Sequence, residues 1–429
     1  MKSKFSVPSQ LLLTLVLVQT SFAAELIDKA VSENAAESAA AIELLRSRGP
    51  EGLNELRMRY AEQIKKHIDD PTLQPDAEWQ RITKALDAVS GQKNSFISGL
   101  YWYTDLNEAQ RVATASRKPI LSLRLLGNLT DELSCANSRF FRAVLYSNAE
   151  ISSVMRDRFV LHWQSVRPAP VVTIDFGDGR KLERTVTGNS IHYVLDSSGR
   201  LLEAFPGLYG PQAFLRGLAD AEQLFHLIAG KKGQDRENAI MLHHRFNHSQ
   251  LATAWLNDVA KIGGKLPEGF VVNKNQNGQL TAVMVAPLAI TKMVTETGTL
   301  RAMSMTTERM ETVTDEAAWR KIAQLHASDA ALDTRSIALI KRQNPALSAQ
   351  EFSQMLQSFQ ELIALDTVRN EYLMHMKLYP WLLSDPSRTD LEKFNEKVYA
   401  ELFLTPGSDA WLGLLVRNVY MGIDNGGVK

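Results

Sequence analysis

Residues 118–138 read KPILSLRLLGNLTDELSCANS. Pro119 opens a run from Ile120 to Leu126 that is apolar except for Ser122 and Arg124, and Gly127 closes it, so the run reads as a core strand. A polar loop through Asn128 and Asp131 leads to Cys135, and the spacing beyond it predicts a helix from about Ala136 to Asp157. Upstream, Leu106 to Ser116 reads as a helix, and downstream Phe159 to Trp163 reads as a second short strand. Two hairpins follow. Val171–Ile174 and Leu182–Val186 flank Gly177-Asp178-Gly179, and Ile191–Leu195 and Leu201–Phe205 flank Asp196-Ser197-Ser198-Gly199. A helix then starts at Pro211. Strand, helix, strand, hairpins and helix make an α/β domain and not a bundle.

The flanks read as helical. Leu53, Leu56, Tyr60, Ile64 and Ile68 recur at spacings of three and four after Pro50, and Trp79, Ile82, Leu86 and Val89 do the same before Gly91. Beyond residue 235, Leu251, Trp255, Val259 and Ile262 form one apolar stripe, and Leu391, Phe394, Val398 and Leu402 form another. Gly269 to Leu280 reads as a polar loop, and Asp366 to Tyr372 as a solvated or ion-paired helix face. At the head, Lys2 and Lys4, the apolar run Leu11–Val18 and the small residues up to Ala23 predict a cleavable secretory signal peptide. The expected organisation is a leader over 1–24, a helical domain over 25–99, an α/β domain over 100–229 and a mainly helical domain over 235–429. The mature chain is expected to be exported to the periplasm or the extracellular space, without a transmembrane segment.

Lysine plus arginine equal aspartate plus glutamate at 48 each, so net charge favours neither nucleic acid nor an anionic membrane. Cys135 is the one cysteine, which rules out an internal disulfide. At a helix N-terminus its thiolate is favoured by unpaired N–H groups and the helix dipole. Ser134 reads as the N-cap, and Arg139 and Arg142 lie one to two turns into the helix.

On these residues the middle third resembles a thioredoxin-like domain of exported bacterial proteins. The resemblance covers roughly residues 100–229 and rests on the helix before Lys118-Pro119-Ile120, the cysteine after the first core strand, Phe159-Val160-Leu161, and Tyr193-Val194-Leu195-Asp196 followed by Gly199 and Pro206-Gly207. Where such domains exchange disulfides through Cys-x-x-Cys, this chain has Cys135-Ala136-Asn137-Ser138, and Ser190 stands where the family carries a cis-proline. The Asp178 hairpin is an insertion relative to a minimal domain. The resemblance with these departures implies a binding or assembly module that contacts another exported protein, with no cofactor. The alternative is monothiol redox or thiol-sensing chemistry, with Cys135 as nucleophile, Ser138 as hydrogen-bond donor and Arg139 or Arg167 as electrostatic support.

Other candidates carry less. His244 and His248 stand four apart beside His243, but three or four ligands make a zinc site and no third is evident in the sequence, so a surface helix and no metal are expected. His162-Trp163, Arg167-Pro168 and Arg184 read as a rim near Cys135 or as packing residues. Asp175-Phe176-Gly177-Asp178-Gly179 lacks the ligands of a calcium loop and reads as a tight turn.

Overall fold

After a helical segment over residues 24–30, Asn34 accepts hydrogen bonds from the backbone of Ala36 and Glu37 and so caps helix α1 (Ala35–Ser47). The structure is a computed structural model that describes residues 24–185, 188–267, 270–274, 280–284 and 307–409. The expected leader therefore lies outside the described residues apart from residue 24. The stripe after Pro50 is two helices, α2 (Pro50–Arg59) and α3 (Ala61–Asp69), because Tyr60 leaves helical geometry at φ −109°, ψ 25°. The break turns α3 so that Ile64 and His67 are buried, His67 stacking at 3.9 Å on Trp79 of α4 (Ala77–Ser90). Gly91, at φ +74°, closes α4 in the left-handed region.

Next come α5 (Leu106–Ser116), β1 (Ile120–Leu126), α6 (Ala136–Phe140), α7 (Ala149–Arg158), β2 (Val160–Arg167), β3 (Val171–Asp175), β4 (Lys181–Thr185), β5 (Ile191–Leu195), β6 (Leu201–Pro206) and α8 (Pro211–Leu227). The helix expected over Ala136–Asp157 is interrupted. A π-helical turn over Phe141–Leu145 follows α6, and Asn148 caps a new start at α7. The interruption puts Phe141, Val144, Leu145 and Tyr146 together in the core. The main sheet has the order β2-β1-β5-β6, with β1 parallel to β2, antiparallel to β5, and β5 antiparallel to β6. Strands β3 and β4 form a separate two-stranded ribbon.

Among the described residues, the remainder is helical apart from one small hairpin. Helix α9 (Gly233–Lys261) is followed by β7 (Phe270–Lys274) and β8 (Leu280–Met284), paired antiparallel. The loop expected over Gly269–Leu280 thus contains a strand, consistent with the β-prone Phe270-Val271-Val272. Then come α10 (Glu316–Leu325), α11 (Thr334–Gln343), α12 (Ala349–Arg369) running into a π turn at Asn370–His375, α13 (Met376–Ser384), and α14 (Leu391–Lys397) with its own π turn at Val398–Leu402. The stretch Asp366–Tyr372, expected to be a solvated or ion-paired helix face, has the ion pair at Arg369, which meets Glu316, but is otherwise largely buried. Thr367 Oγ1 accepts from Gly210 N at 2.7 Å, Asn370 Nδ2 donates to Leu208 O at 2.6 Å, and Tyr372 OH donates to Asp258 at 2.7 Å. These polar side chains serve neighbouring backbone and a buried carboxylate, which periodicity cannot show. No helix among the described residues is long and apolar enough to cross a membrane.

Every residue of β1 and β5 is buried, so the polar side chains on the sheet must find protein partners. Arg124 donates to Glu392 at 2.6 Å and to Ser122 at 3.0 Å. His162 Nδ1 meets Ser122 Oγ at 2.8 Å, and His192 Nε2 meets Tyr146 OH at 2.7 Å. Burial pushes both histidines down to about 3, with the Arg124 charge adding to the effect at His162. An unfolded histidine titrates near 6.5, so unfolding takes up protons below that pH. The stabilisation from these neutral rings is present above about pH 6.5 and is lost as pH falls toward 3. Urea midpoints are expected to drop steadily between pH 6.5 and 4.5, and less so in a His162→Gln, His192→Gln double variant. A wild-type midpoint that stays level over that range would contradict this.

Candidate functional site

Cys135 sits at the junction of the β1 loop with α6, where its backbone N–H donates to Leu126 O at 3.2 Å. Its side chain is 0% exposed and belongs to the core with Leu125, Leu126, Leu129 and Phe141. Cys135 itself holds the N-cap position, without a side-chain cap bond, so Ser134 is not the cap. The Ser134 hydroxyl instead lies against Ser138 Oγ and accepts from Arg142 Nη2 at 3.1 Å. Ser138 lies between Ser134 Oγ and Cys135 O, so its proton is committed to oxygen acceptors.

The expected electrostatic support is arranged differently. Arg139 is exposed and donates to Thr185 Oγ1 of the ribbon at 3.0 Å. Arg142 is the buried cation of this helix; it donates to Asp131 O at 2.9 Å, and burial lowers its pKa. Arg167 donates to Thr405 O at 2.7 Å and lies 5.5 Å over the Tyr399 ring. Ser190 is fully buried, its carbonyl accepting from Gly207 N and its hydroxyl having no partner. Gly188, two residues before it, abuts Asn137 and Ala136 at the start of α6. From the C-terminal side, Tyr399 OH donates to Asn189 O at 3.1 Å and Asn189 Nδ2 donates to Thr405 Oγ1 at 2.9 Å. The structure thus groups Cys135, Ser134 and Ser138, sends Arg139 and Arg167 elsewhere, and closes the C-terminal turn over the Asn189 segment. His162 and Trp163 are buried and line no rim, the indole donating to Gly91 O at 2.9 Å.

A second constellation forms where α9 crosses β6. The histidines expected on a surface helix are not on one: His244 and His248 are buried. Facing His244 is Glu203 of β6, its side chain 1% exposed. Glu203 Oε1 accepts from Ala204 N at 2.9 Å and meets His375 Nε2 at 3.1 Å. Glu203 Oε2 has no hydrogen bond, and neither has His244 Nδ1, 3.7 Å away. His243 Nε2 lies 3.2 Å from Asp220 Oδ2. One ligand atom each from Glu203, His243 and His244 lies within 4.8 Å of the others, the one such group of metal-ligating residues among those described.

Electrostatics set the charge states. Burial works against ionised Glu203, but His375 at Oε1 and the Ala204 N–H hold its carboxyl below the usual carboxylate range. Burial pushes His244 down to about 4, which leaves it neutral with a free lone pair at neutral pH. Burial also opposes charge on His243, yet the hydrogen bond it gives to the Asp220 carboxylate, and that group's charge, raise it overall. A cavity of about 180 Å³, lined by Glu203, His375, Tyr379, Asp220, Glu371 and Arg216 among others, adjoins the cluster on the Glu203 side, and neither His243 nor His244 lines it. The lone acid in the apolar run Leu201–Phe205 was the local signal for this cluster, but its partners are far away in sequence.

The class these observations define is a mixed α/β protein with a small mixed sheet among helices and a buried carboxylate–imidazole cluster at the sheet edge. Comparison with protein-family models, with curated proteins and with solved structures gives no match.

A thiol with no exposed surface reacts only when the chain opens. Alkylation of the single cysteine is expected to be at least about 100-fold slower in the native chain than in denaturant, tracking unfolding. Native labelling as fast as that of the unfolded chain would contradict the burial.

Proposed function

We propose that this chain is an exported binding and assembly module, a thioredoxin-like α/β core without dithiol chemistry that docks onto another exported protein. The observation that carries the reading is the β3–β4 ribbon. It stands apart from the main sheet, and Val171, Val172, Ile174, Phe176 and Leu182 are all exposed on it. Single apolar residues on a surface are ordinary, but five large ones on one short hairpin mark an interaction surface. Its outer edges also offer unpaired backbone groups to an incoming extended segment. The ribbon is anchored at its base, since Thr185 Oγ1 donates to Ser134 O at 3.3 Å and accepts from Arg139. The partner that fits is a protein with an extended, apolar segment, which gains main-chain pairing and side-chain burial together.

Two further points support the reading. The element order around Cys135, strand, helix, strand, antiparallel strands and helix, agrees with the resemblance drawn from the sequence. The monothiol alternative needs Sγ to reach an external disulfide or oxidant, whereas Cys135 is enclosed and Ser138 is engaged with oxygen atoms.

The ribbon supplies nothing to the main cores, so changes there spare the fold. In a Val172→Lys, Ile174→Lys, Phe176→Ser triple variant, the thermal midpoint is expected to stay within a few degrees of wild type. Sizing of the native extract is expected to show wild type in a stoichiometric complex and the variant as free chain. A wild type that runs as a monomer or self-dimer, or a variant that keeps the complex, would sink the proposal.

A further inference from the structure

We infer that Glu203, His243 and His244 form a binding site for a divalent transition-metal ion of the zinc type. The inference is independent of the ribbon. It begins from two buried atoms without partners, Glu203 Oε2 and His244 Nδ1, which face each other at 3.7 Å. A buried polar atom left without a hydrogen bond costs about 1–3 kcal/mol. Here two such atoms of complementary chemistry meet in one place, and a bound cation would satisfy both.

A direct ion pair explains the arrangement less well. The two atoms stand beyond hydrogen-bond distance, and neither has another partner.

The remaining parts of a metal site are present. Zinc accepts two imidazoles and a carboxylate at about 2.0–2.2 Å, so tetrahedral donors stand about 3.5 Å apart. Glu203 and His244 are already near that spacing, and a modest inward shift from 4.8 Å brings in His243. His375 and the Ala204 N–H hold Glu203 Oε1, which leaves Oε2 for the ion. Asp220, beside His243 Nε2, is the carboxylate partner that metal-bound imidazoles have on their other nitrogen. The donor set has two nitrogens and no thiolate, which disfavours calcium, magnesium and soft monovalent ions and suits zinc. Three protein ligands leave a coordination position open, and Glu203 also lines the adjoining cavity.

The test is titration of the chelator-treated full chain with zinc chloride by calorimetry, and with Co²⁺ read through its visible d–d bands. Wild type is expected to bind one ion per chain with micromolar or tighter affinity and to gain thermal stability on binding. Glu203→Gln, which keeps size and hydrogen-bonding capacity, is expected to weaken zinc at least about 100-fold and to abolish the thermal shift. Asp220→Asn is expected to weaken it about 10-fold, as for loss of an outer carboxylate. His248→Gln, on the same helix but outside the trio, is expected to leave affinity unchanged. If Glu203→Gln fails to fold, His243→Gln at the less buried ligand takes its place. No stoichiometric zinc on wild type, or unchanged affinity in the ligand variants, overturns the site.

Discussion

A guanidinium lies in the middle of the sheet, and the rest of the fold has to accommodate it. Arg124 is 0% exposed on β1 between Leu123 and Leu125, and a buried charge without a counter-charge costs several kcal/mol. Its counter-charge comes from Glu392 at the start of α14, at 2.6 Å. The central strand is therefore electrically complete only when a helix near the far end of the described chain is docked on it. The same dependence recurs around the sheet. Tyr193 OH donates to Asn395, Glu203 meets His375, and the α7 N-terminus gives its Ala149 N–H to Asp333. A sheet of four strands cannot bury both faces against its own connecting helices, and the C-terminal helices do the rest, bringing polar atoms to the places where the sheet needs them.

That docking also accounts for the enclosed thiol. A cysteine at a helix start is activated only if its sulfur can meet solvent and a reaction partner. Here the α6 start is pressed between the core beneath and the Gly188–Ser190 segment above, and Tyr399 and Thr405 pin that segment from the C-terminal side. The features that give Cys135 a favourable helix position are thus the ones that close it in. The exposed apolar surface lies instead on the ribbon, whose foot rests on Ser134 through Thr185.

What the sequence disclosed follows the range of the interactions. The bounds of α5, β1 and β5 were readable because the apolar run, the flanking proline and the turn glycines act within a few residues. Gly91 and Gly199 both take the positive φ values their turns require. The breaks at Tyr60 and after Phe140 were hidden, since an apolar stripe at helical spacing continues through both while the backbone bends to seat rings in the core. Ser134, Arg139 and Arg167 were placed near Cys135 by chain distance, yet hydrogen bonds to Ser138, Thr185 and Thr405 decide where they point. The Glu203 cluster lay furthest out of reach. It joins β6, α9 and the turn after α12, and in the sequence those are an acid inside a strand and histidines on a helix, with nothing to connect them.

The two buried charges on the sheet can be compared directly. At Arg124 both terminal nitrogens are engaged, by Glu392 and by Ser122, and Nε alone lacks a partner. At Glu203 one oxygen is held twice while the other faces an equally unpartnered imidazole nitrogen at 3.7 Å, beside a cavity. Helix α14, which supplies both Glu392 and Asn395 to the sheet, shows that this fold can bring an acceptor to a buried donor. At Glu203 it brings instead an imidazole nitrogen that stops short of a hydrogen bond. With the inferred cation bound between them, Glu203 Oε2 and His244 Nδ1 are both satisfied, and β6 is completed from outside the chain as β1 is completed by Glu392.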